Sequence, residues 1–264
     1  MTYENLSGVP NFDCNEYAPK KTKYCLLIPI INESSRIHKE LSRAKAAGVN
    51  NLADIIICDG GSTDGCTDSN ILKEHGVNTL LTKTGAGKQG AQLRMGFWWA
   101  LQRGYEGFIT IDGNNKDSIE DVSAFIKKLD EGYDFVQGSR FIKGGKAINT
   151  PFMRWVAVRF IHAPIISLTA RKFFTDTTNA YRAYSKKYIT HPNVQPFRDI
   201  FVTYELLAYL SVKASRLGLR TCEIPVKREY PKNEKMPTKI KGFSGNSLLL
   251  KILFANARGK YNVR

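Results

Sequence analysis

The sequence predicts an α/β fold: a mostly parallel sheet flanked by helices, with a helical and basic C-terminal extension. Three observations carry this. Apolar, β-branched runs alternate with amphipathic stretches at short spacing between residues 24 and 140, the pattern of a parallel sheet covered on both faces. The runs are continuous rather than alternating, as buried strands are. The formal net charge is +15, and residues 213–264 hold 13 basic and 3 acidic side chains, so +10 of the surplus lies in the last fifth.

The elements follow in order. Residues 1–22 show no periodicity and read as an irregular lead-in. "YCLLIPI" (24–30) is a buried strand. "NESSRIHKELSRAKAAG" has helical spacing at Ile37, Leu41 and Ala44 and stops at Gly48. "ADIIICDGGSTDG" (53–65) is a second buried strand running into glycines, followed by a helix near 66–75 and the short strand "VNTLLT". The loop "KTGAGKQG" leads into the helix "AQLRMGFWWALQRG", in which Trp98 and Trp99 cannot both face one core; one reads as core, the other as contact surface. "GFITID" (107–112), the amphipathic helix "SIEDVSAFIKKLDEG" and the strand "DFVQGSR" (134–140) complete the alternation. Beyond "FIKGGKAINTP" it breaks: 152–170 and 201–218 read as helices and "RAYSKKYI" as a strand entering a helix. "RTCEIPVKREY" is a strand, "PKNEKMPTKIKG" a basic loop, and "NSLLLKILFANAR" an amphipathic helix.

Composition narrows the function. The five cysteines (14, 25, 58, 66, 222) are scattered and form no C-x-x-C pair, which suits reduced thiols in the cytoplasm. There is no basic-then-apolar leader pattern, and no apolar run approaches the roughly 20 residues that span a bilayer. Excess positive charge concentrates anions: nucleic acid, an anionic membrane face or a phosphorylated substrate. No helix-turn-helix, zinc or RNA-binding pattern is present, so nucleic acid is not the expected partner.

In an open parallel sheet, ligands bind beyond the carboxyl ends of the strands. Asp59 and Asp112 each close a buried strand beside glycine, so both are expected on one rim, where backbone amides can approach a ligand. A rim carboxylate can accept from a nucleotide or hold a hard divalent cation, and Asp112 beside Asn114 suits the second task. "TKTGAGKQG" is not a phosphate loop of the G-x4-G-K-[ST] kind, having Thr82 and Gln89 at the required positions. Lys88 can still meet a phosphate near a helix N-terminus.

Seven stretches in order, "LLIPIINES", "IIICDGGSTDG", "GAGKQGAQLRMGFWWAL", "FITIDGNNKDSIED", "DFVQGSRF", "TDTTNAYRAYS" and "CEIPVKRE", resemble the glycosyltransferase family 2 enzymes of the GT-A fold. Within that family they are most similar to the dolichyl-phosphate mannose synthase-like branch. The resemblance implies a GT-A (Rossmann-like) domain over residues 23–230, with a nucleotide-binding half at 23–145 and an acceptor half at 146–230. The basic loop and amphipathic helix of 231–264 follow it.

The resemblance also implies roles. Pro29 and Glu33 would line the nucleotide pocket and Asp59 would bond the base, with Gly87, Lys88 and Arg94 covering the nucleoside. Asp112 would be the first acid of a D-x-D whose metal, Mg²⁺ or Mn²⁺, bridges the donor diphosphate. Arg140 would lie near the phosphates, and Asp176 and Arg182 on the acceptor side. Two departures stand out: Gly60 replaces the second acid of an Asp-Asp pair, and Asn114 replaces the second acid of the D-x-D. The metal is therefore expected to bind mainly together with the nucleotide; a metal-poor mechanism through Lys88 and Arg140 is the lesser alternative.

Chemically, this implies an inverting glycosyltransferase that moves a sugar from a nucleotide-diphosphate sugar to a phosphorylated, polyprenyl-phosphate-like acceptor or to a glycan hydroxyl. A hydroxyl acceptor needs a base, for which Glu205 and Asp176 are the candidates. Arg228, Lys232, Lys239 and Lys241 are expected to receive an acceptor's phosphate or, with the apolar face of "SLLLKILF", to rest on an anionic membrane. Integral relatives continue into membrane spans whereas this sequence ends at Arg264, so the expectation is a cytoplasmic or peripheral enzyme at the inner membrane face, with a homo-oligomer compatible. The rivals are a nucleotidyltransferase that forms a nucleotide-sugar and a non-catalytic polyanion-binding protein.

Overall fold

The structure, a computed structural model, describes residues 1–232 and 242–263; for 242–244 only the helical backbone is described. The strands are β1 (Thr2–Tyr3), β2 (Phe12–Glu16), β3 (Tyr24–Ile30), β4 (Asp54–Asp59), β5 (Val77–Lys83), β6 (Gly107–Thr110), β7 (Phe135–Ser139), β8 (Lys146–Ile148), β9 (Arg182–Ser185), β10 (Thr221–Pro225) and β11 (Lys227–Glu229). The helices are α1 (Ser35–Ala46), α2 (Ser69–Glu74), α3 (Gln89–Gln102), α4 (Val122–Asp130), α5 (Phe152–Ala157), α6 (Ala163–Ala170), α7 (Lys186–Ile189), α8 (Glu205–Arg216) and α9 (Gly242–Ala257). A π-helical turn, Val158–His162, joins α5 to α6.

The main sheet has the order β1-β2-β5-β4-β3-β6-β9-β7-β10. Strands β5, β4, β3, β6, β7 and β10 all point one way, while β2 and β9 run against their neighbours. A second, two-stranded sheet pairs β11 with β8. Apolar side chains of β3 and β4 feed both faces. Cys25, Leu27, Ile56 and Cys58 join one core with α3, α6 and α8. Leu26, Ile28, Ile55 and Ile57 join the other with α1, α2 and α4. That is why these strands read as unbroken apolar runs.

The lead-in differs from expectation. Residues 12–16 are an edge strand antiparallel to β5, with Phe12 opposite Lys83 and Cys14 opposite Leu81. Phe12 and Cys14 are buried; only two inward positions are needed at an edge, too few to register as periodicity in a polar stretch. The same segment covers Trp98, whose ring stands edge-on to Phe12 and Tyr3. Trp99 is core, as one of the pair had to be, but Trp98 packs against the lead-in instead of offering open contact surface.

Candidate active site

Strand β3 lies between β4 and β6 with all three parallel, Ile30 beside Asp59 and Leu27 beside Thr110. The chain leaving β4 at Asp59 and the chain leaving β6 toward Asp112 therefore emerge on one rim. Gln92 of α3 ties that rim together from below, donating Nε2–H to the carbonyls of Ile30 (2.6 Å) and Cys58 (2.7 Å). Gly113 lets the loop after β6 lie directly on β3, since a Cβ there would sit 2.4 Å from Ile30 Cγ2.

The two acids are not equivalent. Asp59 is buried, and its carboxylate accepts from Gly61 N (3.0 Å), from Ser62 N (3.0 Å) and from the Ser62 hydroxyl. It braces the loop "DGGST", where a free acceptor for a base was expected. Pro29 is partly exposed on β3 nearby, and Glu33 is buried beside Arg36 (3.1 Å).

Asp112 is the more open of the two, its side chain 23% exposed. It accepts from Gln89 Nε2 (3.2 Å), from Arg228 Nη2 (3.2 Å) and, weakly, from Asn114 Nδ2 (3.5 Å). Arg228 also pairs with the buried Asp117, so one guanidinium joins two carboxylates. Burial opposes the charge on Arg228, but Asp117 and Asp112 outweigh it and hold the guanidinium above its ordinary value. Burial, reinforced by Asp112 and opposed by Arg228, pushes Asp117 up to about 6.

Helix α1 holds this loop from the other side. Glu40 Oε2 accepts from the backbone N–H of Asn115 (2.8 Å). Arg43 donates to Asn115 Oδ1 (2.9 Å) and to the Asp117 carbonyl (3.2 Å). Burial drives the Glu40 carboxyl well above the ordinary carboxylate range, with Asp117 and Asp112 adding to the rise.

A divalent cation fits this corner in part. The buried Asn114 Oδ1 has no hydrogen-bond partner, which leaves a hard oxygen donor unclaimed next to the Asp112 carboxylate. Among the described residues, no group of three or more His, Cys, Asp or Glu side chains can hold a metal alone. Asp112 and Asn114 would therefore hold it with oxygens supplied by a ligand and water.

Other expected site residues are already occupied. Arg140 and Asp176 form a buried two-pronged ion pair, Nε to Oδ2 at 2.6 Å and Nη2 to Oδ1 at 2.9 Å, and the Arg140 N–H adds a third bond (3.2 Å). Burial alone would raise the Asp176 carboxyl; Arg140 more than reverses this and holds it below its usual range. The expected base is thus a locked anion, and the expected phosphate ligand is its counter-ion. Glu205, the other base candidate, folds back at the start of α8 to accept from the Thr203 N–H and from Thr203 Oγ1 (2.9 Å).

Arg182 is wholly buried and donates to the carbonyls of Thr177, Asn179 and Leu207, so it shapes the "TDTTN" loop instead of facing a ligand. Arg94, expected over the nucleoside, donates to Gly8 O (2.6 Å) and Asp199 Oδ1 (2.7 Å). Gly87 takes φ 102°, and exposed Lys88 sits at the N-terminus of α3 with its N–H on Val202 O (2.9 Å). Lys239 and Lys241 lie outside the described residues.

Sequence reasoning missed several neighbours of Asp112. Gln89 reaches it from the first turn of α3, and Gly90 permits this, because a Cβ there would meet Phe201 O at 2.6 Å. Tyr204 is raised by burial and by the Asp112 charge. Lys116, also buried, is lowered by burial and by Arg228, and its ammonium stands 5.0 Å from the Tyr230 ring. The available signal was the glycine spacing of "GAGKQG" after a strand and before a helix, which marks a loop brought close to a site.

Residues 25–201 match Glycosyl transferase family 2. The chain is 28% identical over 207 residues to undecaprenyl-phosphate mannosyltransferase of Micrococcus luteus, covering 76% of this chain and 81% of that one. It is 24% identical over 246 residues to polyprenol monophosphomannose synthase of Mycolicibacterium smegmatis, with 89% and 87% covered. Among solved structures, glucosyl-3-phosphoglycerate synthase from Mycobacterium tuberculosis, in complex with Mn²⁺, uridine diphosphate and phosphoglyceric acid, matches with a TM-score of 0.63 at 15% identity. That likeness covers 91% of this chain and 79% of the other, and it shows the GT-A fold. Sheet order, the acid-bearing rim and a match over two thirds of the sequence agree: the chain belongs to glycosyl transferase family 2.

Proposed function

We propose that the chain is an inverting glycosyltransferase that moves a sugar from a nucleotide-diphosphate sugar to a polyprenyl-phosphate-like acceptor. The observation that carries the acceptor class is the absence of a free base among the two candidates: Asp176 is clamped by Arg140 and Glu205 by Thr203. A phosphate monoester is already an anion at neutral pH and needs no proton removed. The names of the Micrococcus and Mycolicibacterium relatives, both polyprenyl-type mannosyl transfer enzymes, support the same reading.

In this mechanism the acceptor phosphate oxygen forms a bond to the anomeric carbon as the bond to the nucleoside diphosphate breaks, and the diphosphate leaves with the electron pair. Asp112 and Asn114 would hold a divalent cation, which supplies charge stabilisation to the leaving diphosphate. The Mycobacterium neighbour, solved with Mn²⁺ and uridine diphosphate, supports such a pairing of metal and nucleotide. Arg228 and Lys116 place two cations on the rim, preorganised by Asp117 and Tyr230 for phosphate oxygens.

The test is transfer from labelled UDP-, GDP-, CDP- and dTDP-sugars to a polyprenyl phosphate and to the matching free polyprenol. Product on the phosphate alone is expected, with inverted anomeric configuration. Equal transfer to the free alcohol, or none from any donor, overturns the reading.

A further inference from the structure

The outward surface of α5, the π turn and α6 is apolar where solvent should be. Phe152, Met153, Phe160, Leu168 and Phe173 are 67–80% exposed, and Trp155 lies between them, its ring stacked on Phe152 and edge-on to Phe160. The inward side of the same segment is ordinary core, with Val158, Ala163, Ile166 and Ala170 buried and α6 packed on α8 and α9. Large side chains clustered outward on a stable segment mark a contact surface.

The charge around this surface has one sign. Between Asp134 and Asp176 the sequence contains no acidic residue at all. Lys143, Lys146, Arg171 and Lys172 are exposed there, and Arg154 and Arg159 are half-buried beside the apolar patch. Arg159 stands over Phe141 at 5.2 Å. Bulky apolar side chains ringed by cations are what a helix lying in the plane of an anionic bilayer presents. A second copy of this chain is a poorer occupant, because a two-fold interface sets a patch against itself and would oppose like charges across apolar contacts.

The sequence placed membrane contact on α9 instead. In the fold Ile252 and Leu253 of α9 are buried, and Asn256 donates to the Ala208 carbonyl of α8 (2.8 Å), so much of its apolar face is used internally. The patch on α5–α6 is also connected to the rim: Arg154 donates to the Tyr230 hydroxyl (2.9 Å), and Arg228 stands 5.7 Å from the same ring while pairing with Asp112.

We infer that the face formed by residues 152–173 docks on an anionic lipid surface and so presents the acceptor half of the protein to the bilayer. No helix among the described residues is long and apolar enough to cross a membrane, so the contact is peripheral. The inference deepens the acceptor reading above and rests on it for its purpose; vesicle binding and sugar transfer are measured apart, so the two fail separately.

The experiment is co-sedimentation with vesicles of phosphatidylcholine alone and of equal parts phosphatidylcholine and phosphatidylglycerol. The wild-type chain is compared with the triple variant Phe152→Ser, Phe160→Ser, Leu168→Ser and with Phe254→Ser on α9. Expected are binding to the mixed vesicles, weakened by salt, a loss of roughly tenfold or more in the triple variant, and near-wild-type binding for Phe254→Ser. The thermal midpoint of the triple variant should stay unchanged, because the altered positions are exposed.

Undiminished binding by the triple variant overturns the inference, as does loss through Phe254→Ser alone. Light scattering that shows a wild-type dimer and a variant monomer, with vesicle binding unaltered, gives the face to a second copy and also overturns it. Vesicle binding through this face without sugar transfer to any acceptor sustains the surface and sinks the function.

Discussion

Arg228 donates to Asp112 across 3.2 Å although 116 positions separate them in the chain. The same guanidinium holds Asp117 at the buried foot of the loop. The loop that follows β6 and the strand β11 therefore share one cation. Removing it should be felt at both.

Arg228→Met is expected to lower stability by about 3–5 kcal/mol, because the buried Asp117 carboxyl loses the guanidinium that compensates it. Adding Asp117→Asn should restore most of that loss in chemical denaturation without restoring transfer. Restoration of both would mean that Arg228 serves folding only.

Asn114→Asp adds a charge next to Asp112 and should tighten Mn²⁺ binding roughly tenfold or more, read by calorimetry with a nucleoside diphosphate present. Asp112→Ala should remove the metal-dependent part of the thermal shift that the nucleoside diphosphate produces. Unchanged affinity in Asn114→Asp would place Asn114 away from the cation.

The Arg140–Asp176 pair makes a pH prediction. The folded-state value of Asp176 is held below the ordinary one by Arg140. Its contribution to stability is therefore complete above the unfolded carboxylate value of about 3.9 and disappears as pH falls through the folded value. Asp176→Asn should cost about 3–5 kcal/mol at neutral pH and flatten the loss of stability below about pH 4. An acid limb parallel to wild type would contradict this.

Glu205→Ala separates a side chain that braces Thr203 from a base. It should cost about 1 kcal/mol of stability through the lost hydrogen bonds and leave the pH–rate profile in place, with transfer reduced only a few-fold. Loss of the limb attributable to a carboxylate would return Glu205 to the chemistry and reopen the case for a hydroxyl acceptor.

Much of this was legible in the residues. "YCLLIPI", "DIIICD" and "FITID" announced buried parallel strands, and the Asp-Gly endings placed Asp59 and Asp112 on one rim because parallel strands share a direction. What sequence could not supply was the state of each side chain. Asp176 looked like a base until Arg140, 36 residues earlier, closed on it. Asp59 looked like a ligand until its own loop folded back over it. Gln89 bonds Asp112, and Tyr204 feels its charge, only because α3 and the start of α8 converge there, and no local pattern encodes that approach. Edge strand β2 was hidden for the opposite reason, its signal being two side chains long.

That edge strand has a practical consequence. Asn11 O accepts from the N–H groups of Thr84 and Gly85, and β2 covers the outer side of β5. A protein trimmed to the family-matched portion beginning at residue 25 would lose both. Its bared strand would offer unpaired amides to neighbouring molecules, so such a fragment should clump before it could be assayed. Residues that precede the family match thus shield the edge of the sheet on which the site is built.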